Sequence, residues 1–403
     1  MKNNNFSGVR VVDFTQVLSG PYASAQLALL GADVIKIEQP GTGDQSRQMM
    51  AFDGIFAETG MTPMFLSVNT NKRSMTLNLK HEGAKEVIRR LVESADVVVE
   101  NFKAGTMARM GLGYDDLKKH NPRLIYCAVS GYGQTGPRAG AAAYDPAIQA
   151  SSGMMSLTGF EENGPTKTGF WVTDMASGIT AAFAIASALF RREQTGEGQF
   201  IDVSMLDVAI SFIGPIVANY VNAGVMPGLV GNGSQAGSKV STIYPTGDGF
   251  IQIAAATQGQ FQSLCRTIGR PELIDDPRFV DRRARRDNAE EMREEIILGL
   301  ASHDAPHWES VLAEAGVPAA AVATVPQMLE NPQVLHRKLM MQLPPSGGLQ
   351  KEVQLVGAPF KMEPAGPVGE RPPPALGEHT DEVLSELGYS GPEIVELRGR
   401  GVI

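Results

Sequence analysis

Strand-like and helix-like segments alternate through the first half of the chain, and this alternation limits the possible folds more than any other feature. Residues 9–15 (VRVVDFT) read as a strand, and 21–31 as a helix with Pro21 near its start and Gly31 at its stop. Residues 32–38 read as the next strand. A second unit repeats the plan with a strand at 75–80, a helix at 82–95 and strands at 96–102 and 123–131. Such alternation implies a mainly parallel sheet covered by helices on both faces. In a sheet of this kind ligands bind beyond the carboxyl ends of the strands, which singles out residues 17–20, 39–43, 101–109 and 132–138. The first strand-to-helix turn, TQVLSGPYAS, lacks GxGxxG, so a nicotinamide or flavin dinucleotide is not expected there. Lys72, Arg73, Lys103 and Arg109 fall close to these ends, where cationic side chains suit phosphates.

One later stretch concentrates chemical interest in a single residue. Between Thr168 and Phe190 the only charged residue is Asp174, followed by Ala, Gly and Ser at a density that suits a tightly packed internal helix. Two readings are open at this point. Asp174 is the structural N-cap of that helix, or it is a carboxylate kept ionised by the helix terminus in an apolar site, ready to act as nucleophile or base.

Composition narrows the function classes. With 403 residues, 43% hydrophobic and 20% charged, the chain is long enough for two cores. Its 44 acidic and 35 basic residues give a net charge of −9, which speaks against a nucleic-acid surface. Cys127 and Cys265 form no CxxC motif and read as buried fillers. His303 and His307 are the one helical-spaced histidine pair and have no third ligand nearby, so no metal is expected. The N-terminal MKNNNFSGVR has no apolar run, and the stretch after Asp174 is short and rich in small polar residues, so a cytoplasmic protein without a membrane span is expected. From about residue 225 the texture changes to a Gly-rich loop, a probable hairpin around Gly247-Asp248-Gly249 and several helices. The loop bearing Gly231 and Gly233 reads either as a linker or as a mobile cover over a reactive site.

The motifs VVDFT…SGPYA, GADVIKIEQPGTGD, NTNKRS, VVVENF, ARMGLGYDDL, YDPAIQASSGMMSLTG, VTDMASG and LGEHTDEVL occur in this order. In carrying them the chain resembles the class III CoA-transferases, the family of formyl-CoA transferase and carnitine CoA-transferase. The resemblance implies an α/β fold: a Rossmann-like large domain (1–224 and 326–403) around a smaller α+β domain (225–325), in an interlocked homodimer. It implies Asp174 as the catalytic aspartate, with Ser19, Lys72, Asn101, Phe102, Arg109, Tyr144 and Asp145 at the CoA-binding positions and no cofactor beyond coenzyme A itself. Asp145 is expected to position CoA or a backbone turn.

Departures from the formyl-CoA transferase pattern at Leu18, Gln39 and Ala142, and in the looser GNGSQAGS loop, argue against formyl-CoA and oxalate as substrates. The related α-methylacyl-CoA racemases have His where this chain has Tyr144, and tyrosine, with a reference pKa near 10, is a poor second base. A racemase and a non-catalytic CoA-binding protein are the alternatives. The implied reaction moves CoA from an acyl-CoA donor to a carboxylic acid through an aspartyl anhydride and an aspartyl-CoA thioester. Backbone N–H groups at the start of the Asp174 helix, or in the Gly231–Gly233 loop, are the expected oxyanion donors. Arg47, Arg73 and Arg138 are candidates for the far carboxylate of a dicarboxylic acid, or else surface or CoA contacts.

Overall fold

The computed structural model describes residues 4–51 and 54–403. The first residues of the stretch read for a secretory signal lie outside this range. The chain divides into two compact units: residues 1–154, 168–217 and 337–403 form the larger, and 155–167 with 218–336 the smaller. Both chain ends therefore fold into the larger unit. The boundaries differ from the sequence expectation in one instructive way. Residues 155–167 leave the larger unit as a short hairpin, Gly159–Phe160 with Gly164–Pro165, and the Gly159 carbonyl accepts the Gly231 N–H at 2.9 Å. Backbone pairing of this kind joins segments far apart in sequence, and hydrophobic periodicity does not report it.

The larger unit is built on a six-stranded parallel sheet. Its strands are β1 (Arg10–Asp13), β2 (Asp33–Glu38), β3 (Lys72–Thr76), β4 (Val97–Glu100), β5 (Ile125–Ser130) and β6 (Gln199–Ser204), in the order β3-β2-β1-β4-β5-β6. This order reverses direction between β1 and β4, so the crevice for a ligand opens beyond the ends of those two strands. Side chains alternate between two cores. Val12, Ile35, Met75 and Val98 pack beneath the Ala84–Glu93 helix and the C-terminal helices. Val11, Val34, Val97 and Val99 pack beneath the Ser19–Leu29 and Val172–Thr195 helices.

β3 begins three residues earlier than its hydrophobic pattern indicates. Lys72, Arg73 and Ser74 are polar yet buried in the strand, because Asp13 on β1 and Asp33 and Glu38 on β2 supply their partners. The Asp174 helix also departs from expectation. It runs from Val172 to Thr195 and buries Ala176, Ser177, Gly178, Ala181, Ile185 and Ala188, but its opposite face leaves Phe183 73% and Phe190 70% exposed. The sequence expected a fully internal helix; within the single chain it is packed on one side only.

The smaller unit has its own core around Tyr244, Ile251, Phe261, Leu312 and Trp308. A three-stranded antiparallel sheet, with Phe250–Ile253 between Thr242–Pro245 and Ala319–Ala321, is covered by the helices Gln258–Thr267, Ala289–Leu300 and Ala305–Glu314. The expected turn at Gly247-Asp248-Gly249 joins the first two of these strands.

Candidate active site

Asp174 is the third residue of its helix, not the cap. The capping position belongs to Trp171, whose side chain makes no capping hydrogen bond. The open N–H groups of the first turn are taken instead by Asp145, at the start of the Asp145–Ser151 helix. Asp145 Oδ2 accepts from the Thr173 amide at 2.7 Å, the Thr173 hydroxyl at 2.7 Å and the Asp174 amide at 3.2 Å. Its other oxygen accepts from Gln149 Nε2 at 2.5 Å. Gln149 in turn exchanges hydrogen bonds with Thr168, so the approach to the helix is fixed as well. A negative charge here satisfies orphan amides and faces the positive end of the helix dipole.

This arrangement leaves the Asp174 carboxylate free of capping duty and close to a second carboxylate. Burial, with the nearby charge of Asp145, pushes Asp174 up to about 7, and a hydrogen bond from the Ser19 side chain offsets part of the rise. A carboxylate of this kind is more nucleophilic than one in water, and a substantial fraction of it is ionised near neutral pH.

Ser19 reaches Asp174 because two backbones approach closely. A methyl group added at Gly178 would lie 2.7 Å from the Ser19 carbonyl oxygen and 2.9 Å from the Tyr22 ring, so a glycine one turn after Asp174 lets the Ser19–Leu29 helix pack against it. The segment leading into Ser19 is held under strain. Val17 has φ of 68°, a region hostile to a β-branched residue. Its amide donates to Asp44 at 3.0 Å, and the preceding Gln16 exchanges two backbone hydrogen bonds with the Asn101 amide, at 2.8 and 2.7 Å. The Gln16–Asn101 clasp spans β1 and β4, where the strand order reverses.

Lys72 requires a correction. Its side chain is 0% exposed, its ammonium binds Asp13 at 2.9 Å and the Pro21 carbonyl at 2.9 Å, and no surface remains from which to touch CoA. Asn101 is likewise spent on the backbone of Gln16. Lys36, also fully buried, joins the Thr15 carbonyl to Asp44 at 2.8 and 2.7 Å. Burial opposes ionisation of Asp44, but Lys36 and the amides of Val17 and Ser46 outweigh it and hold the carboxyl down at about 2. Arg47 pairs with Glu38 in a buried fork, and Arg73 with Asp33, Glu382 and Glu386. Neither arginine is available for a substrate carboxylate.

The remaining expected contacts lie at the surface. Arg109 is exposed and bonded to the Thr106 hydroxyl at 3.0 Å, and Phe102 is half-buried against the core. Tyr144 is 66% exposed just before Asp145, and Arg138 is exposed with its guanidinium stacked over the Tyr132 ring at 3.9 Å. The expected oxyanion donors are already engaged. The Thr173 and Asp174 amides bind Asp145, the Gly231 amide binds Gly159, and the Gly233 amide binds the Val230 carbonyl at 2.8 Å. Gly231 also has φ of 54°, and a methyl there would lie 2.6 Å from the Phe160 ring, so this loop is a built turn of the smaller unit.

The sequence reading passed over Asp13, Lys36, Glu38 and Asp44. A signal was present: lysine and glutamate interrupt the apolar run DVIKIE, and charges inside a buried strand require partners.

Comparison with known proteins shows the family. The sequence matches CoA-transferase family III over residues 6–380. It is 36% identical to the succinyl-CoA:glutarate CoA-transferase of Mus musculus over 98% of this chain and 89% of that one. It is 37% identical to the acetyl-CoA:oxalate CoA-transferase of Acetobacter aceti, over 96% of each. A solved CAIB/BAIF family protein from Brucella suis superposes with a TM-score of 0.86 at 34% identity, over 96% of this chain and all of that one.

Proposed function

The chain belongs to CoA-transferase family III, an enzyme family, and from that premise we propose a mechanism and a substrate class for its transfer of CoA between an acyl-CoA and a carboxylic acid. The observation that carries the reading is the Asp174 carboxyl, half-buried at the start of its helix and lifted to about 7 by desolvation and by Asp145, with the Ser19 side chain offsetting part of the rise. An Asp174 oxygen attacks the thioester carbonyl of the donor, forming a mixed anhydride and releasing CoA thiolate. The thiolate then attacks the Asp174 carbonyl, giving an aspartyl-CoA thioester and the donor carboxylate. The acceptor carboxylate attacks this thioester, forming a second anhydride, and the released thiolate attacks its acyl carbonyl to yield the new acyl-CoA and free Asp174. Each bond formed is matched by one broken, and coenzyme A is the only carrier the scheme requires.

Holding thiolate, anhydride and acid in register is worth about 7–11 kcal/mol in well-oriented cases, and the pinned Val17–Ser19 segment supplies part of that order. Arg109 and Tyr144, which are exposed, and the half-buried Phe102 remain the proposed CoA contacts, while Lys72 and Asn101 shape the site from within. The Gly231 and Gly233 amides are both paired within the smaller unit, so no oxyanion donor is assigned to them. The two curated relatives compared are named for dicarboxylic acids, glutarate and oxalate, and short dicarboxylates are the proposed acids. With Arg47 and Arg73 sealed in ion pairs, Arg138 is the arginine left for their second carboxylate.

The apolar face of the Asp174 helix, with Ile179, Phe183 and Phe190 exposed, supports a homodimer in which a second copy covers it. A cytoplasmic location is proposed on the sequence reading alone.

Intact-protein mass spectrometry after brief mixing with succinyl-CoA, acetyl-CoA and formyl-CoA tests the mechanism. A CoA-sized covalent addition is expected on the native protein and none on Asp174→Ala. An addition that persists in Asp174→Ala, or none on either protein despite turnover, overturns the aspartyl route.

A further inference from the structure

The backbone between β1 and the Ser19–Leu29 helix is held, residue after residue, by side chains that come from elsewhere in the sheet. The Thr15 carbonyl accepts the Lys36 ammonium at 2.8 Å. Gln16 is clasped by Asn101, and the Val17 amide donates to Asp44. On the far side of Ser19, the Pro21 carbonyl accepts the Lys72 ammonium at 2.9 Å. Buried ammonium groups on β2 and β3 therefore bracket the turn that delivers Ser19. The turn also closes on itself, since a methyl added at Gly20 would lie 2.4 Å from the Thr15 side chain.

Asp44 is the centre of this clamp. Its Oδ1 accepts the Val17 amide at 3.0 Å and both the amide and the hydroxyl of Ser46 at 2.8 Å. Its Oδ2 meets the Lys36 ammonium at 2.7 Å, so a single carboxylate ties the turn to β2. Its own amide donates to Glu38 Oε2 at 2.9 Å, and Glu38 is in turn forked by Arg47. Asp13, Glu38 and Asp44 thus stand against Lys36, Lys72 and Arg47 in a charge-balanced cluster, none of them more than 4% exposed.

Stability alone does not account for such a cluster. Desolvation consumes most of the attraction within a buried ion pair, and apolar residues of the same volume do as well or better. What the cluster achieves is a conformation that Val17 would not adopt unaided: φ of 68° crowds a β-branched side chain against its own backbone. Without its acceptor the Val17 amide is free to relax to negative φ, and Ser19, two residues on, is carried away from the Asp174 carboxyl to which it donates. We propose that Asp44, braced by Lys36, is a positioning residue for Asp174, holding Val17 in the left-handed region so that the Ser19 hydroxyl stays on the Asp174 carboxyl. The inference rests on the reading of Asp174 as the reacting group.

The test follows the Asp174 carboxyl by carbon NMR through a pH titration of the full-length protein labelled at aspartate Cγ, with the resonance assigned by its loss in Asp174→Asn. Ser19→Ala is expected to titrate at higher pH than the native protein, because the donor to the ionised form is gone. Asp44→Ala should move the midpoint in the same direction and by a similar amount, and Ser19→Ala added to it should move the midpoint no further. The direction is decisive, since removal of a negative charge by itself would lower the midpoint. Val17→Gly in the Asp44→Ala background should return it at least halfway, because glycine adopts positive φ without a clamp. Urea denaturation reports folding, and Lys36→Met/Asp44→Ala, which keeps acids and bases in balance, is the second variant if Asp44→Ala does not fold. An unchanged or lowered Asp174 midpoint in the folded Asp44 variant overturns the proposal, as do additive shifts from Ser19→Ala and Asp44→Ala. Neither result depends on turnover, so both are distinct from failure of the aspartyl route, which is read from CoA addition to Asp174→Ala.

Discussion

The carboxylate of Asp145 closes the first turn of the helix that carries Asp174, accepting the Thr173 amide at 2.7 Å and the amide of Asp174 itself at 3.2 Å. Two acidic residues thus divide the tasks that a sequence reading gave to one. Asp145 caps the helix from another helix, and Asp174, the proposed nucleophile, is relieved of capping. Burial is the main reason the Asp174 carboxyl is lifted, and the proximity of Asp145 adds to the rise, so the cap also tunes the proposed nucleophile.

Removing the cap should be costly even though Asp145 lies outside the helix it closes. Asp145→Ala leaves the Thr173 hydroxyl and two amides without their acceptor, an expected loss of about 2–4 kcal/mol. Asp145→Asn keeps one acceptor oxygen and should lose about 1 kcal/mol. Urea denaturation of both variants distinguishes this from a residue that serves CoA alone, for which neither substitution would change the midpoint.

The pH dependence of kcat/KM should follow Asp174. Attack requires the ionised carboxylate, so the rate is expected to rise with pH through about 7 and then level off. Removing the like charge in Asp145→Asn should move this limb to lower pH. Removing the hydrogen-bond donor in Ser19→Ala should move it to higher pH. Three profiles with one common midpoint would disconnect the limb from Asp174.

Gly178 sets the approach of Ser19. Gly178→Ala places a methyl 2.7 Å from the Ser19 carbonyl and should cost about 1–3 kcal/mol through forced separation of the two helices. Its kcat should fall by more than the stability loss explains, because Ser19 moves with the helix. Gly214→Ala is the control, since its added methyl meets nothing within 4 Å. Equal kinetics for the two variants would remove Gly178 from any role in the site.

Lys72 and Arg109 should separate a structural cation from a ligand-facing one. Lys72→Ala strands Asp13 without its buried partner and is expected to cost about 3–5 kcal/mol. Arg109→Ala, at an exposed position, should change stability by no more than about 0.5 kcal/mol. The same change should weaken CoA binding roughly tenfold, the scale of one lost charge-assisted phosphate contact. Calorimetric titration of CoA against both proteins, beside their denaturation curves, checks the pair. Unaltered CoA affinity in Arg109→Ala would exclude that arginine from the binding surface.

Hydrophobic periodicity is a local property, and what it encodes was legible in the chain alone: the alternating strands and helices, the parallel sheet, and the placement of Asp174 early in a helix rich in small residues. The ordered motifs pointed to the family and to Asp174 within it. Partner choice is not local. Asp13 and Lys72 are 59 residues apart, Asp145 and Thr173 are 28 apart, and Glu38 meets Arg47 beneath the carbonyl of Pro374. Only the closed tertiary structure decides that Lys72 turns inward, that Asp145 caps a helix it does not belong to, and that Val17 is held at positive φ. The reason is energetic: a charge or an amide taken out of water must find its partner wherever the fold places one, and sequence spacing does not record that distance.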